Sequence, residues 1–97
     1  MVELNFQFEV AKEKQEDFLK FVEEVARPWW LSHGCDAYSL WQVADKDVFI
    51  KRMEFADMAT VERVIPANEQ NPECKELIEK FDYYSENDSR RTLLKVL

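Results

Sequence analysis

His33 is the only histidine in the chain, and its ordinary pKa lies close enough to neutrality for it to serve as a general base. The same position, at the end of an expected helix, also suits an imidazole facing water and the negative end of the helix dipole. Tyr38, Arg52 and Glu54 fall on two strands expected to be neighbours, where Tyr38 would donate a hydrogen bond and Arg52 would clamp an anionic oxygen. Arg52 and Glu54 also share one strand face and could simply neutralise each other, or Glu3, Glu9 and Asp36 across strands. Trp29 and Trp30 project about 100° apart on a helix. One therefore belongs to the core, and the other to a pocket mouth or a partner's surface. Aromatic walls beside a few polar groups suit a flat hydrophobic ligand. Cys35 and Cys74 form no CxxC pair, and a zinc site built on His33 and Cys35 would lack two ligands at the required spacing. Two reduced thiols and no metal are expected.

The elements that must position these groups are legible from periodicity. Val2 to Val10 alternates apolar and polar residues, the pattern of a strand with one buried face. From Lys12 the spacing becomes helical, with Phe18, Phe21, Val22, Val25 and Trp29 on one stripe. Pro28 is expected to kink or end this helix, with Trp29-Trp30-Leu31-Ser32-His33 able to continue it to Gly34, the only glycine, which suits the left-handed position just past a helix end. Cys35 to Val43 and Val48 to Phe55 read as two strands joined by the polar turn Ala44-Asp45-Lys46-Asp47, hence an antiparallel pair. Asp57 caps a helix carrying Met58, Val61, Val64 and Ile65, which is expected to stop before Pro66. A second start follows at Asn71-Pro72-Glu73, with Cys74, Leu77, Ile78 and Phe81 as its stripe. A polar connection from Asp82 to Ser89 holds Tyr83 and Tyr84, as a lid or as a cap on the core. Thr92 to Leu97 closes the chain as a fourth strand.

The order β-α-β-β-α-β predicts a ferredoxin-like α+β sandwich over residues 1–97, a four-stranded antiparallel sheet with both helices on one face. With 97 residues there is no length for a second domain, and no window approaches the ~20 apolar residues of a membrane span. A cytoplasmic location is expected, since no signal peptide is read in the first residues. Net charge of −7 with scattered bases disfavours nucleic acid, and Lys51-Arg52-Met53 lacks the signature of an RNA-recognition strand. Two helices cover one sheet face, yet strands two to four carry apolar residues in both phases. Leaving several of these wet would cost several kcal/mol at about 25 cal/mol per Å². A homodimer formed through the open sheet face follows as the expectation.

His33-Gly34-Cys35, followed by the strand of Tyr38, is similar to the Pro-Gly-Cys entry into the second strand found in one family, and Phe49 to Asp57 leads into the second helix in the same manner. On these residues and on its element order the chain resembles the dimeric α+β barrel superfamily, most closely the small monooxygenases of the antibiotic-biosynthesis type. The resemblance implies a homodimer with a pocket between each sheet and its helices. It further implies oxygenation of an aromatic or polyketide-like molecule without a cofactor, with a non-catalytic ligand-binding or assembly module as the alternative. His33, Tyr38 and Arg52 are the catalytic candidates, and Trp29, Trp30, Asn5 and Phe55 the ligand-binding candidates. Asn5 matches the strand-one asparagine of haem-degrading members. Phe55, however, stands where many members have tryptophan, and Val64 where they carry a helix histidine, so haem degradation is not expected.

Overall fold

Alternation in the first strand places Val2, Leu4 and Phe8 on a buried face, and the rest of the sheet is registered against them. The computed structural model describes residues 1–87 and the strand at 92–95. Its elements are β1 (Val2–Glu9), α1 (Lys12–Phe21), a π-helical turn (Val22–Ala26), α2 (Arg27–Leu31), β2 (Ala37–Gln42), β3 (Val48–Phe55), α3 (Met58–Glu69), α4 (Pro72–Tyr84) and β4 (Thr92–Lys95). β1 pairs antiparallel with β3 from Val2↔Phe55 to Glu9↔Val48, and β3 pairs with β2 from Ala37↔Glu54 to Gln42↔Phe49. The short β4 runs along the other edge of β1, giving the order β2-β3-β1-β4. The strand expected over 92–97 is thus a four-residue segment, and Val96 and Leu97 lie outside the described residues.

Register assigns the two faces. Opposite residues in a ladder share a face, so Val2, Leu4, Phe6 and Phe8 line up with Phe55, Met53, Lys51 and Phe49, and Tyr38 and Leu40 join them from β2. This is the helix-covered side, where α2 contacts β2 and α3 contacts β3. Its core is an aromatic cluster: Phe8 and Phe18 meet edge to face at 5.6 Å, Phe8 and Phe81 at 4.9 Å, and Phe18 and Phe49 at 5.5 Å. The opposite side carries Glu3, Asn5, Gln7 and Glu9 on β1, Arg52 and Glu54 on β3, and an apolar corner where Trp41, 57% exposed, pairs with Ile50.

The helices depart from their expected limits at both prolines. Pro28 does not end the first helical run, which continues through α2. The backbone widens into the π turn just before it, so that the Arg27 N–H bonds the carbonyl of Val22, five residues back, and the ring escapes the carbonyl it would otherwise strike. The extra residue in the turn moves the buried stripe from Val25 to Ala26, leaving Val25 exposed. Pro66 lies inside α3, which runs on to Glu69. Buried Val61, Val64, Ile65 and Asn68 anchor the helix on both sides of the proline. Glu62, whose carbonyl loses its partner, is exposed and can be hydrated. The break falls at Gln70 and Asn71, where Asn71 Oδ1 accepts from the Glu73 N–H at 2.9 Å and Pro72 begins α4.

Asp57 caps α3 as expected, its Oδ1 accepting from both Thr60 N–H and Thr60 Oγ1 at 2.8 Å. The helix α4 extends through Tyr84, so the two tyrosines belong to a helix end and not to a loop; Tyr84 is buried and Tyr83 exposed. The second strand starts at Ala37, two residues later than expected. The Cys35 N–H instead closes the preceding turn on the Trp30 carbonyl at 3.1 Å. In the β2–β3 hairpin the Val43 N–H donates to Val48 at 2.9 Å, and Asp45 takes the left-handed turn conformation at φ 62°.

Candidate functional site

The helix-covered side of the sheet is not filled everywhere. Between it and the helices lies a cavity of about 340 Å³, of the size that holds small organic ligands. Phe6, Tyr38, Lys51 and Met53 form its sheet wall. Phe21, Ala26 and Trp30 close it from the first helical run, and Ile65, Leu77, Ile78 and Phe81 from α3 and α4. Glu69 and Asp82, both exposed, add two carboxylates at the ends of those helices. The walls are mostly apolar and aromatic because the elements meeting there were patterned for a core. The space arises where the π turn carries Ala26, a small residue, to the surface of the void.

Lys51 is the exception on the sheet wall. Phe49, Lys51, Met53 and Phe55 share one phase of β3, so a lysine stands where the pattern calls for an apolar residue. Its ammonium lies 4.2 Å from the centre of the Phe6 ring, 4.4 Å from that of Phe81 and 5.9 Å from that of Tyr38. Aromatic faces attract a cation and accommodate it within an otherwise apolar wall. Sequence reading passed over Lys51 as a functional residue. The signal was available in the one charged residue on the buried phase of β3.

Tyr38 reaches the cavity from β2. Burial pushes its phenol well above the usual tyrosine range, the nearby Cys35 adds to this, and the Arg27 guanidinium opposes it. Tyr38 therefore stays protonated, a donor and not an anion, across the physiological range. Arg27 also holds the strand itself, Nε donating to the Tyr38 carbonyl at 3.2 Å, while its guanidinium pairs with Glu23 one helical turn away.

The other candidates are dispersed. Trp30 lines the cavity, whereas Trp29 stacks on His33, ring centres 3.8 Å apart and nearly parallel. Both tryptophans are half-buried, so neither is the core residue of the pair. His33 Nδ1 lies 2.6 Å from the Trp29 carbonyl, a bond that requires the proton on Nδ1, and the imidazole is not on the cavity wall. Arg52 and Asn5 oppose each other on the helix-free face of the sheet. Tyr38 is registered against Met53, so Arg52 and Glu54 point to the side of the sheet away from Tyr38, and the expected constellation of the three does not form. Phe55 is fully buried and packs in the core away from the cavity.

Gly34 and the thiols shape the frame around this site. Gly34 has φ +102° and sits so close to α3 that a Cβ there would lie 2.7 Å from Val64 Cγ2. Asn68, at the far end of the same helix, donates Nδ2 to the His33 carbonyl at 2.9 Å and fixes the turn from the other side. The Cys35 thiol donates to the Ala37 carbonyl at 3.0 Å, and burial raises its pKa to about 11. Cys74 is fully buried, and its pKa is likewise raised by burial. Among the described residues no cluster of histidine, cysteine and carboxylate side chains could hold a metal ion, and no helix is long and apolar enough to cross a membrane.

Solved structures with this architecture are numerous. The chain superimposes over its whole length on an antibiotic biosynthesis monooxygenase (TM-score 0.74, 15% identity, 99% of that chain). It does so equally on an uncharacterised NIPSNAP domain protein from Burkholderia xenovorans (0.78, 10%, 95%) and on HapK from Hahella chejuensis (0.79, 12%, 93%). The chain shares the α+β fold of these structures. No protein-family model and no curated protein sequence matches it. At 10 to 15% identity the likeness carries the architecture and assigns no residue a role.

Proposed function

We propose that two copies of this chain pair through their helix-free sheet faces, and that each cavity receives a flat aromatic or polyketide-like molecule for oxygenation without metal or organic cofactor. The observation that carries the reading is the aromatic-walled cavity of about 340 Å³ set in a fold shared with an antibiotic biosynthesis monooxygenase. Pairing is supported by the exposed Trp41 beside Ile50 on that face.

The chemistry suits a substrate that supplies its own electrons. An activated CH₂ between aromatic rings loses a proton, the carbanion adds to O₂, and the resulting hydroperoxide loses water to leave C=O. The overall change is RH₂ + O₂ → RO + H₂O. In this reaction the cavity orients the rings and excludes bulk water, and Tyr38, held protonated, donates to the oxyanion that develops. Trp30 and Phe81 supply stacking surface. The carboxylates of Glu69 and Asp82 are the lining groups able to accept a proton.

A second reading, a non-catalytic binding module of the same shape, is favoured by the position of His33, which is stacked on Trp29 and is not on the wall. Oxygen consumption with a panel of anthrones and naphthohydroquinones separates the two. Turnover that falls at least tenfold in Tyr38→Phe supports the oxygenase. Binding of the same compounds with no oxygen uptake supports the module. Native mass spectrometry tests the pairing, with a monomer at micromolar concentration as the refuting result.

A further inference from the structure

We propose that Ala26 determines which aromatic ligands this cavity admits: it leaves room for a second fused ring beside Trp30, and a larger side chain there restricts the cavity to single-ring molecules. This rests on reading the cavity as an aromatic-ligand site and names the residue that sets its size selectivity. The buried stripe of the first helical run begins with α-helical spacing, through Phe18, Phe21 and Val22. Continued without interruption, it would next bring Val25 and then Trp29 inward. The π turn adds one residue, the Arg27 N–H reaching the Val22 carbonyl, so the positions that face the cavity come one residue late. Ala26 and Trp30, one helical turn apart on the same helix face, line the cavity, while Val25 is 44% exposed.

The exchange is one of volume. Ala26 offers a single methyl group to the wall, whereas every other apolar residue there is leucine, isoleucine, methionine or aromatic. Ala26 is itself buried, so the room it leaves lies inside the cavity and not on the protein surface. Pro28 explains why the backbone widens just before it, but not why the residue delivered to the wall is so small. Packing alone favours filling such a space, because side chains that face a void forfeit their contacts on that side. Widened turns of this kind recur at functional sites. Here the room beside Ala26 adjoins the Trp30 ring, a stacking face for a flat fused-ring molecule.

2-Naphthol and p-cresol are both neutral phenols at pH 7 and differ chiefly in the second ring. Their affinities for the full chain, read by calorimetry and by tryptophan quenching, test the assignment. 2-Naphthol is expected to bind the wild type at least tenfold more tightly than p-cresol. Ala26→Leu is expected to weaken 2-naphthol at least tenfold and p-cresol less than threefold, and to keep or raise the midpoint of urea unfolding, because leucine fills an apolar void. Val25→Leu, which adds bulk on the exposed side of the same turn, is expected to leave both affinities unchanged. Equal wild-type affinities overturn the assignment, as does 2-naphthol binding to Ala26→Leu within twofold of wild type, and in either case the cavity stands. Equal weakening of both probes in Ala26→Leu, or a lower urea midpoint, also overturns it by showing Ala26 packed against a neighbour instead of facing the void. Failure of both probes to bind the wild type overturns the cavity reading and the assignment together.

Discussion

Replacing Gly34 by alanine perturbs two things at once, and the structure separates them. At φ +102° a residue with a Cβ is strained, at a cost of about 1–3 kcal/mol. The new methyl would also lie 2.7 and 2.9 Å from the two Cγ atoms of Val64, which is itself buried in α3 and cannot swing clear, adding about 1–3 kcal/mol of overpacking. Gly34→Ala is therefore expected to lose about 2–6 kcal/mol, a large part of the 5–15 kcal/mol typical of a domain. Val64→Ala removes the clashing methyls while leaving the backbone strain. In that background the same Gly34→Ala change should cost only the strain, so that the two substitutions couple favourably by about 1–3 kcal/mol. Urea unfolding of the four proteins, followed by tryptophan fluorescence, gives the cycle. Additive losses would refute the contact with α3, and a loss below about 0.5 kcal/mol for Gly34→Ala alone would refute both parts of the reasoning.

Asp57→Ala should lower the melting temperature at pH 7 by removing the cap of α3. The bond from the Thr60 hydroxyl, and then that from the Thr60 N–H, hold the Asp57 carboxyl below its usual pKa. Its stabilisation is thus complete above the unfolded-state pKa of about 4 and fades as pH falls through the lower folded value, so the gap to wild type should close in acid; a gap independent of pH would contradict the cap. Cys35 and Cys74, buried and with raised pKa values, should resist a disulfide-exchange reagent at pH 8 in the native protein and react fully in guanidinium, whereas rapid native labelling would show that the frame opens. Trp41→Lys should convert a dimer to a monomer in size-exclusion chromatography without changing the far-ultraviolet circular dichroism. A dimer that persists would move the interface away from the Trp41–Ile50 corner of the sheet.

Local chemistry determined the parts of this protein that depend on near neighbours. Alternation over Val2–Glu9, the capping residues Asp57 and Asn71, Pro72 at a helix start, the polar hairpin and a single glycine beyond α2 are all readable because each rests on interactions within a few residues. Element order followed from them. The helix limit expected at Pro66 is overturned by tertiary packing, since buried residues on both sides of it outweigh one lost hydrogen bond, and the π turn before Pro28, which exchanges Val25 for Ala26 in the core, leaves no signature in the local pattern. Site composition was lost for the same reason. Whether Tyr38 faces Arg52 or Lys51 depends on one residue of register between β2 and β3 and on which side the helices settle, neither of which is written in either strand alone. The sequence by itself determined the kind and order of the elements, though not their limits. Only tertiary packing decided that Tyr38, Trp30 and Lys51 meet around one cavity while Arg52, Asn5 and His33 do not, because that meeting is made by contacts between residues far apart in the chain.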